Sequence, residues 1–459
     1  MFAGCKRGGE AKGSMNSELL DRRQVLRLAG AGLLGACCAR WLPALATAAA
    51  ADPRRRRSCI LLWMAGGPSQ TDTFDMKPGH NNGGPFQEIA TSAPGLRFSE
   101  HLPQLAAHAD RLAVVRSLST KEGDHDRGTH LVRTGQPPMG PVAHPSIACA
   151  LAKELATPAQ SLPAYVSVAP PQQVSPAAFG PGFLGPSYAP AIVGSQPPAP
   201  ATAVQSAPQA NFVDLTLDDL DLPAGVSELQ AARRTQLWRA WEDKFLALRH
   251  DAAFHAHHAI YRKAADLMRP EVRAAFDLKQ EPEETRRRYG PGVFGQGCLL
   301  ARRLVERGVP FVEVALGAGG LGWDTHQDNF TQVRRLSAEL DAGWATLMTE
   351  LQQRGLLDST TILWIGEFGR TPAINQMTGR DHYPQAWSCV LGGGGIAGGE
   401  AYGRTSADGM VVEENQVGIG DVLATLCAAL GVPPDHENIT DAGRPVKLAE
   451  GTAIDALLA

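Results

Sequence analysis

Six side chains able to bind a metal, carry a proton or grip an anion come from two short stretches of this 459-residue chain. Asp324 and His326 lie in Trp323-Asp324-Thr325-His326, and Glu367, Arg370, Asp381 and His382 lie between Ile365 and Pro384. Asp324 and His326 are two apart, so on extended backbone both point to one side and can reach one ion. Mixed Asp and His ligation suits zinc, manganese or another transition metal better than calcium. Asp381 and His382 are neighbours and cannot both point inward from a regular strand, so one would bind and the other orient. Glu367 adds a carboxylate, and Arg370 a planar fork that matches phosphate or sulfate. The bland alternative is that these groups cap turns and pair with one another.

The elements that must position them are short apolar strands. Ile362 to Ile365 carry no charge and read as a strand covered on both faces of a parallel sheet, and the chain breaks from it straight into Gly366-Glu367-Phe368-Gly369-Arg370. Phe311 to Leu316 is a second such strand, opening through glycines 317, 319, 320 and 322 into Asp324 and His326. Between them, Leu336, Leu340, Trp344, Leu347 and Leu351 recur at helical spacing, which gives strand, site loop, helix, strand, site loop: a crossover unit with ligands at the carboxyl ends of parallel strands. Ser58 to Ala65 is the first strand and ends at Gly66-Gly67, with Ser69, Thr71 and Asp72 the polar groups at hand. Leu112 to Val115 is another, opening into a dense polar loop with Asp124, His125, Arg127, Thr129 and His130. Ser388 to Leu391 is a further short strand, and Asp421 to Leu430 a late helix.

The remaining chain is read as support. Residues 163–225 are rich in Pro, Ala, Gly and Ser and form an excursion whose tail runs over the surface. Residues 226–308 are a helical insertion of three helices, and His255, His257 and His258 in the second are read as an exposed polar face, since no carboxylate is spaced with them. A net charge of -4 with 44% hydrophobic residues gives no basic footprint for nucleic acid and enough apolar residues for one large α/β domain over 53–459.

Residues 1–52 read as an address. Asp21-Arg22-Arg23-Gln24-Val25-Leu26-Arg27 fits a twin-arginine export signal, the apolar segment from Leu28 to Ala39 is too short for a stable transmembrane helix, and Ala44-Leu45-Ala46 offers small residues for cleavage. The expected product is periplasmic or secreted with no transmembrane segment in the mature chain; acylation at Cys37 is the rival reading. Cys59, Cys149, Cys298, Cys389 and Cys427 remain after cleavage, widely spaced beside apolar neighbours, and read as buried thiols.

The segments RRQVLRLAG, LLWMAGGPSQTDTFD, STKEGDHDRGTH, FLGPSYAP, FGQGCLLARRLVERGVPFVEV, WDTHQDNF, GEFGRTPAIN, GRDHYPQAWS and GRPV together resemble the exported, sulfatase-like domain-of-unknown-function family 1501 of the alkaline-phosphatase superfamily. The resemblance implies a central, largely parallel sheet flanked by helices, a divalent metal, and anionic phosphate or sulfate ester substrates. It assigns Asp324, His326 and His382 to one metal site, makes Glu367 the substitute for an aspartate of the strand-end motif, and puts Phe368 where that motif has a histidine. Gly66 and Gly67 stand where metal-binding aspartates are usual, with Asp72 the nearest substitute. The segment through Asp124, His125 and Arg127 stands where the nucleophile is usually carried. The expected function is therefore a metal-dependent hydrolase of phosphate or sulfate esters, with Asp324, His326, His382, Glu367, Asp381 and Asp72 at the metal and Arg370, Arg127, Asp124 and His125 in catalysis. Ser69, Thr71 or Thr129 would supply a hydroxyl nucleophile. The alternative is a catalytically silent, metal-containing protein that recognises an anionic glycan or a protein partner.

Overall fold

The computed structural model describes residues 57–459 apart from 158–159, 161, 195–211, 216, 218–221, 223, 248–251 and 318–320. Residues 1–52, read from the sequence as an export signal, lie outside the described residues, as does most of the tail of the Pro-rich excursion. Eight strands build one sheet: β1 (Ser58–Met64), β2 (Leu112–Leu118), β3 (Tyr165–Val168), β4 (Ala191–Val193), β5 (Phe311–Leu316), β6 (Thr360–Ile365), β7 (Trp387–Gly393) and β8 (Glu400–Tyr402). Their order across the sheet is β8-β2-β7-β6-β1-β5-β3-β4. Only β7 runs against the rest, pairing antiparallel with β2 and β6, while β1 pairs in parallel with β5 and β6.

Burial explains why the strands read as uninterrupted apolar runs. Every residue of β1, β5 and β6 is buried, because alternate side chains feed two separate cores. Ile60, Leu62, Val312, Val314, Ile362 and Trp364 enter one core, and Leu61, Trp63, Ala315, Leu363 and Ile365 the other. The seven longer helices are α1 (His125–Thr134), α2 (Ile147–Leu155), α3 (Glu228–Leu246), α4 (Ala252–Leu267), α5 (Val293–Glu306), α6 (Asn329–Gln353) and α7 (Ile419–Ala429). Residues of α5 and α6 close the first core, and residues of α2 and α7 the second, giving helices on both faces of a mostly parallel sheet.

Two elements depart from the sequence reading. The polar run after β2 is not a loop throughout: Asp124 accepts hydrogen bonds from the backbone N–H of Asp126 and Arg127, both at 3.1 Å, and starts α1, which Gly135 ends in left-handed backbone. The third helix expected in the insertion is broken at Gly290, so that Glu283–Tyr289 and α5 are separate. His258 also differs: it is buried and stacks on Trp238 at 5.3 Å, while the side chain of His255 is not among those described. The five cysteines are free and buried, and burial raises the thiol pKa of each. Among the described residues no helix is long and apolar enough to cross a membrane.

Candidate metal centre

Parallel pairing puts the carboxyl ends of β1, β5 and β6 on one edge of the sheet, and β2, separated from β6 only by the reversed β7, leaves from that edge too. Four loops converge there. Backbone hydrogen bonds lock them together: Trp323 N–H to Ala65 O at 3.0 Å, Arg380 N–H to Thr325 O at 2.9 Å and Thr120 N–H to Pro384 O at 2.7 Å. The β1 loop passes so close that only glycine fits. A Cβ on Gly66, at φ +106°, would meet Asp324 N at 2.5 Å, and one on Gly67, at φ +75°, would meet Phe368 O at 2.6 Å. The turn that could have carried metal-binding aspartates thus has no room for any side chain.

Three histidines gather around one carboxylate. Asp324 Oδ1 lies 3.1 Å from His326 Nε2, 3.2 Å from His382 Nε2 and 3.3 Å from His125 Nε2. Each ring is held from behind at Nδ1 by a group that accepts: Asp381 Oδ1 at 2.8 Å for His326, the Gly123 carbonyl at 2.6 Å for His382, and Glu367 Oε1 at 2.7 Å for His125. A carbonyl or carboxylate can only take the Nδ1 hydrogen, so in the neutral rings the Nε2 lone pairs face inward, as in carboxylate-backed metal ligands. The Nε2 atoms of His326 and His382 are then 3.0 Å apart, an arrangement that a shared proton or a cation relieves. His125 Nε2 is buried without a hydrogen-bond partner, its approach to Asp324 being poorly aligned, and Glu367 Oε2 is likewise unpaired. The donor set fits a transition metal: ligand atoms around a tetrahedral ion with bonds of about 2.0–2.1 Å lie roughly 3.3–3.4 Å apart. His125, Asp324 and His382 are the group whose ligand atoms all lie within 4.8 Å of one another, and His326 borders it.

The electrostatics follow. Burial alone would lower the His125 pKa, but the Asp324 and Glu367 carboxylates outweigh it and raise the imidazole to about 9. Burial would raise Asp324, but His125, His382 and the Arg370 charge outweigh it and hold the carboxyl far below its ordinary range. Phe368 forms an apolar wall, its ring 5.0 Å from that of His125 and 4.6 Å from that of His382.

The expected site residues divide sharply. Asp324, His326 and His382 come together, with Asp381 orienting His326 as the adjacent-pair argument requires. Glu367 is buried behind His125, also accepts from Gly66 N–H at 2.8 Å, and supports the His125 ring instead of being aimed at the cluster. His125, expected in catalysis, is part of the metal-type cluster. Asp124 caps α1. Arg127 is exposed and spends its fork on Glu122 at 2.6 and 2.7 Å. Arg370 is fully buried, donates to the Gly66 and Gly67 carbonyls and to Asp324 Oδ1 at 2.6 Å, and so holds the loops together. Asp72 sits apart from the histidines: both oxygens are taken by Arg380, at 2.7 and 2.9 Å, and by Asn329 at 2.9 Å. Ser69 and Thr71 are buried and bonded to each other at 3.1 Å, and Thr129 is buried one turn beyond His125.

Two supports were missed in the sequence. Arg380 joins the β1 loop to the loop carrying His382 through its pair with Asp72. Arg133, in the last turn of α1, grips Glu313 of β5 at 3.0 and 2.7 Å, with Tyr165 donating to the same carboxylate, and so pins the helix that begins with His125. The signal for the second was on view: a single acid in an otherwise apolar, buried strand requires a cationic partner.

An α/β sheet with a histidine and carboxylate cluster at its carboxyl edge defines the class of this protein. The model of the family described as "Protein of unknown function (DUF1501)" matches residues 56–458, and the chain belongs to that family. No curated protein matches it. Among solved structures, the chain is similar to Ps i-CgsB in complex with k-i-k-neocarrahexaose, at 11% identity over 87% of this chain and 75% of that one, TM-score 0.40. It is similar to the PsFucS1 sulfatase from Pseudoalteromonas sp., at 13% identity over 90% and 72%, TM-score 0.38. The phosphonate monoester hydrolase SpPMH from Silicibacter pomeroyi is matched at 14% identity over 87% and 76%, TM-score 0.36.

Proposed function

We propose that this protein is a metal-dependent hydrolase of phosphate or sulfate esters acting outside the cytoplasm. The observation that carries the reading is the convergence of three imidazole Nε2 atoms within 3.3 Å of Asp324 Oδ1, every ring backed at Nδ1. His125, Asp324 and His382 would hold the ion, with Glu367, the Gly123 carbonyl and Arg370 fixing their orientation. A bound transition metal would supply Lewis-acid polarisation of the ester oxygen. Phe368 excludes water from one side of the cluster. His326, half-exposed and backed by Asp381, is the group at the rim suited to taking a proton from an attacking water. Water is the nucleophile in this reading, because Ser69 and Thr71 are buried and bonded to each other.

One observation favours the second reading, a silent metal-containing protein that recognises an anionic glycan or protein partner. Both arginines expected on the ester oxygens are committed elsewhere, Arg370 to the glycine turn and Asp324 and Arg127 to Glu122. The metal-loaded protein is expected to hydrolyse 4-nitrophenyl phosphate or 4-nitrophenyl sulfate, with His382→Ala abolishing turnover. Absence of turnover on both esters, with retained metal and binding of a sulfated oligosaccharide, would instead establish the second reading. Export rests on Arg22 and Arg23: a double change to Lys should leave the precursor in the cytoplasm, and undiminished export of that variant would remove the twin-arginine assignment.

A further inference from the structure

The helical hairpin of α3 and α4 carries a surface that the metal centre does not use. No residue of α3 is buried, although the helix runs from Glu228 to Leu246. Its inner side meets α4 through Trp238, stacked on His258, and through Phe245, whose ring lies edge-on to Phe254 at 5.5 Å. The opposite side repeats at helical spacing, with Arg233, Leu237, Trp241 and Lys244 on one face and Arg234 beside it. Trp241 is 67% exposed and Leu237 53%, and Tyr261 on α4 is 52% exposed. Among the described residues no acidic side chain pairs with Arg233, Arg234 or Lys244. A helix of this kind gains little stability in water without something to cover it.

We infer that this face of α3 docks the protein on an anionic lipid bilayer, with Leu237 and Trp241 entering the headgroup boundary and Arg233, Arg234 and Lys244 on lipid phosphates. The pattern of aromatic and leucine side chains flanked by unpaired cations is the one that binds membrane interfaces. A second copy fits less well, since an antiparallel match centred on Leu237 and Trp241 brings Arg233 and Arg234 of one chain towards Lys244 of the other, cation against cation. A polyanion without an apolar phase fits less well too, because it pairs the cations and leaves Leu237 in water. No residue of the histidine cluster belongs to this face, so this inference does not depend on the ester-hydrolase reading.

The test is co-sedimentation of the full processed protein with large unilamellar vesicles, phosphatidylglycerol in phosphatidylcholine against phosphatidylcholine alone. Binding is expected to the anionic vesicles and to weaken with salt. Trp241→Ala with Leu237→Ala, and separately Arg233→Glu with Arg234→Glu, should each lower partitioning about tenfold or more. Because α3 buries none of its residues, these variants should keep the wild-type melting temperature and metal content. Three results would each overturn the docking: no sedimentation with anionic vesicles, undiminished binding of the charge-reversed variant, or a wild-type dimer that Trp241→Ala turns into a monomer. Equal capture of wild type and the Trp241 and Leu237 variant by dextran sulfate, without vesicle binding, would assign the face to a polyanion.

Discussion

Asp324→Ala is expected to release the metal and leave the sheet folded. The Asp324 carboxylate lies within 3.3 Å of all three histidine Nε2 atoms, so its removal takes a proposed ligand and also the negative charge that holds three rings facing one point. Arg370, which donates to it at 2.6 Å, retains the Gly66, Gly67 and Arg380 carbonyls and should stay in place. Supporting groups behind metal-bound histidines typically contribute 10–100-fold to affinity, so losing a ligand itself should cost about 100-fold or more, and Glu367→Gln, which weakens the backing of His125 and the hold on Gly66 N–H, about 10–100-fold. The measurement is metal stoichiometry by elemental analysis after dialysis against a graded series of chelator concentrations, with thermal melting alongside. Equal metal retention by wild type, Asp324→Ala and Glu367→Gln would separate the cluster from any ion the protein carries.

Asp72→Ala should have the largest effect on stability. Asp72 and Arg380 are both fully buried and joined by two hydrogen bonds, with Asn329 donating to the same carboxylate and its own Oδ1 accepting from Thr325. Truncating the acid leaves a buried guanidinium facing only carbonyls, and breaking one partner of such a pair typically costs about 3–5 kcal/mol. The same change loosens the loops that present His326 and His382, because Arg380 N–H also bonds to Thr325 O. Replacing both partners, Asp72→Leu with Arg380→Met, should recover much of the stability, since no unpaired charge remains, without recovering metal affinity. Denaturant unfolding of the single and double variants reads the first effect and metal titration the second. An Asp72→Ala protein as stable as wild type would show that the pair is replaceable by water. Arg127→Ala, which removes an exposed side chain whose fork is spent on Glu122, is the control and should change neither quantity.

Much of the frame was legible because burial on both faces of a parallel sheet leaves a plain mark. β1, β5 and β6 read as charge-free or nearly charge-free runs, and their common direction placed the following loops together. Asp324 and His326 could be paired from residue type and spacing; His382 joined them only through the family resemblance, and the adjacency of Asp381 and His382 said that one would bind and the other orient without saying which. What was not legible depends on contacts remote in sequence. Nothing local says that Asp72 meets Arg380, 308 residues on, or that Glu367 stands behind His125 and not beside Asp324. Arginine types suggested anion binding at 127 and 370, but where a guanidinium points is a tertiary fact: one ends on Glu122 and the other in a glycine turn. The helix through His125 was hidden by its charge and by Gly128, whose missing side chain lets Phe368 pack at 3.0 Å from where a Cβ would stand. The Asp124 cap was the available cue, and it was read as chemistry.

The most direct measurement is X-ray absorption at the metal edge, with anomalous diffraction from crystals, on protein purified without chelator. The account predicts about one transition metal per chain, bound by imidazole nitrogens of His125 and His382 and a carboxylate oxygen of Asp324 at roughly 2.0–2.2 Å, and absent from the Asp324→Ala protein. A metal-free protein of undiminished stability, or an ion bound at Asp72 and away from the histidines, would contradict it.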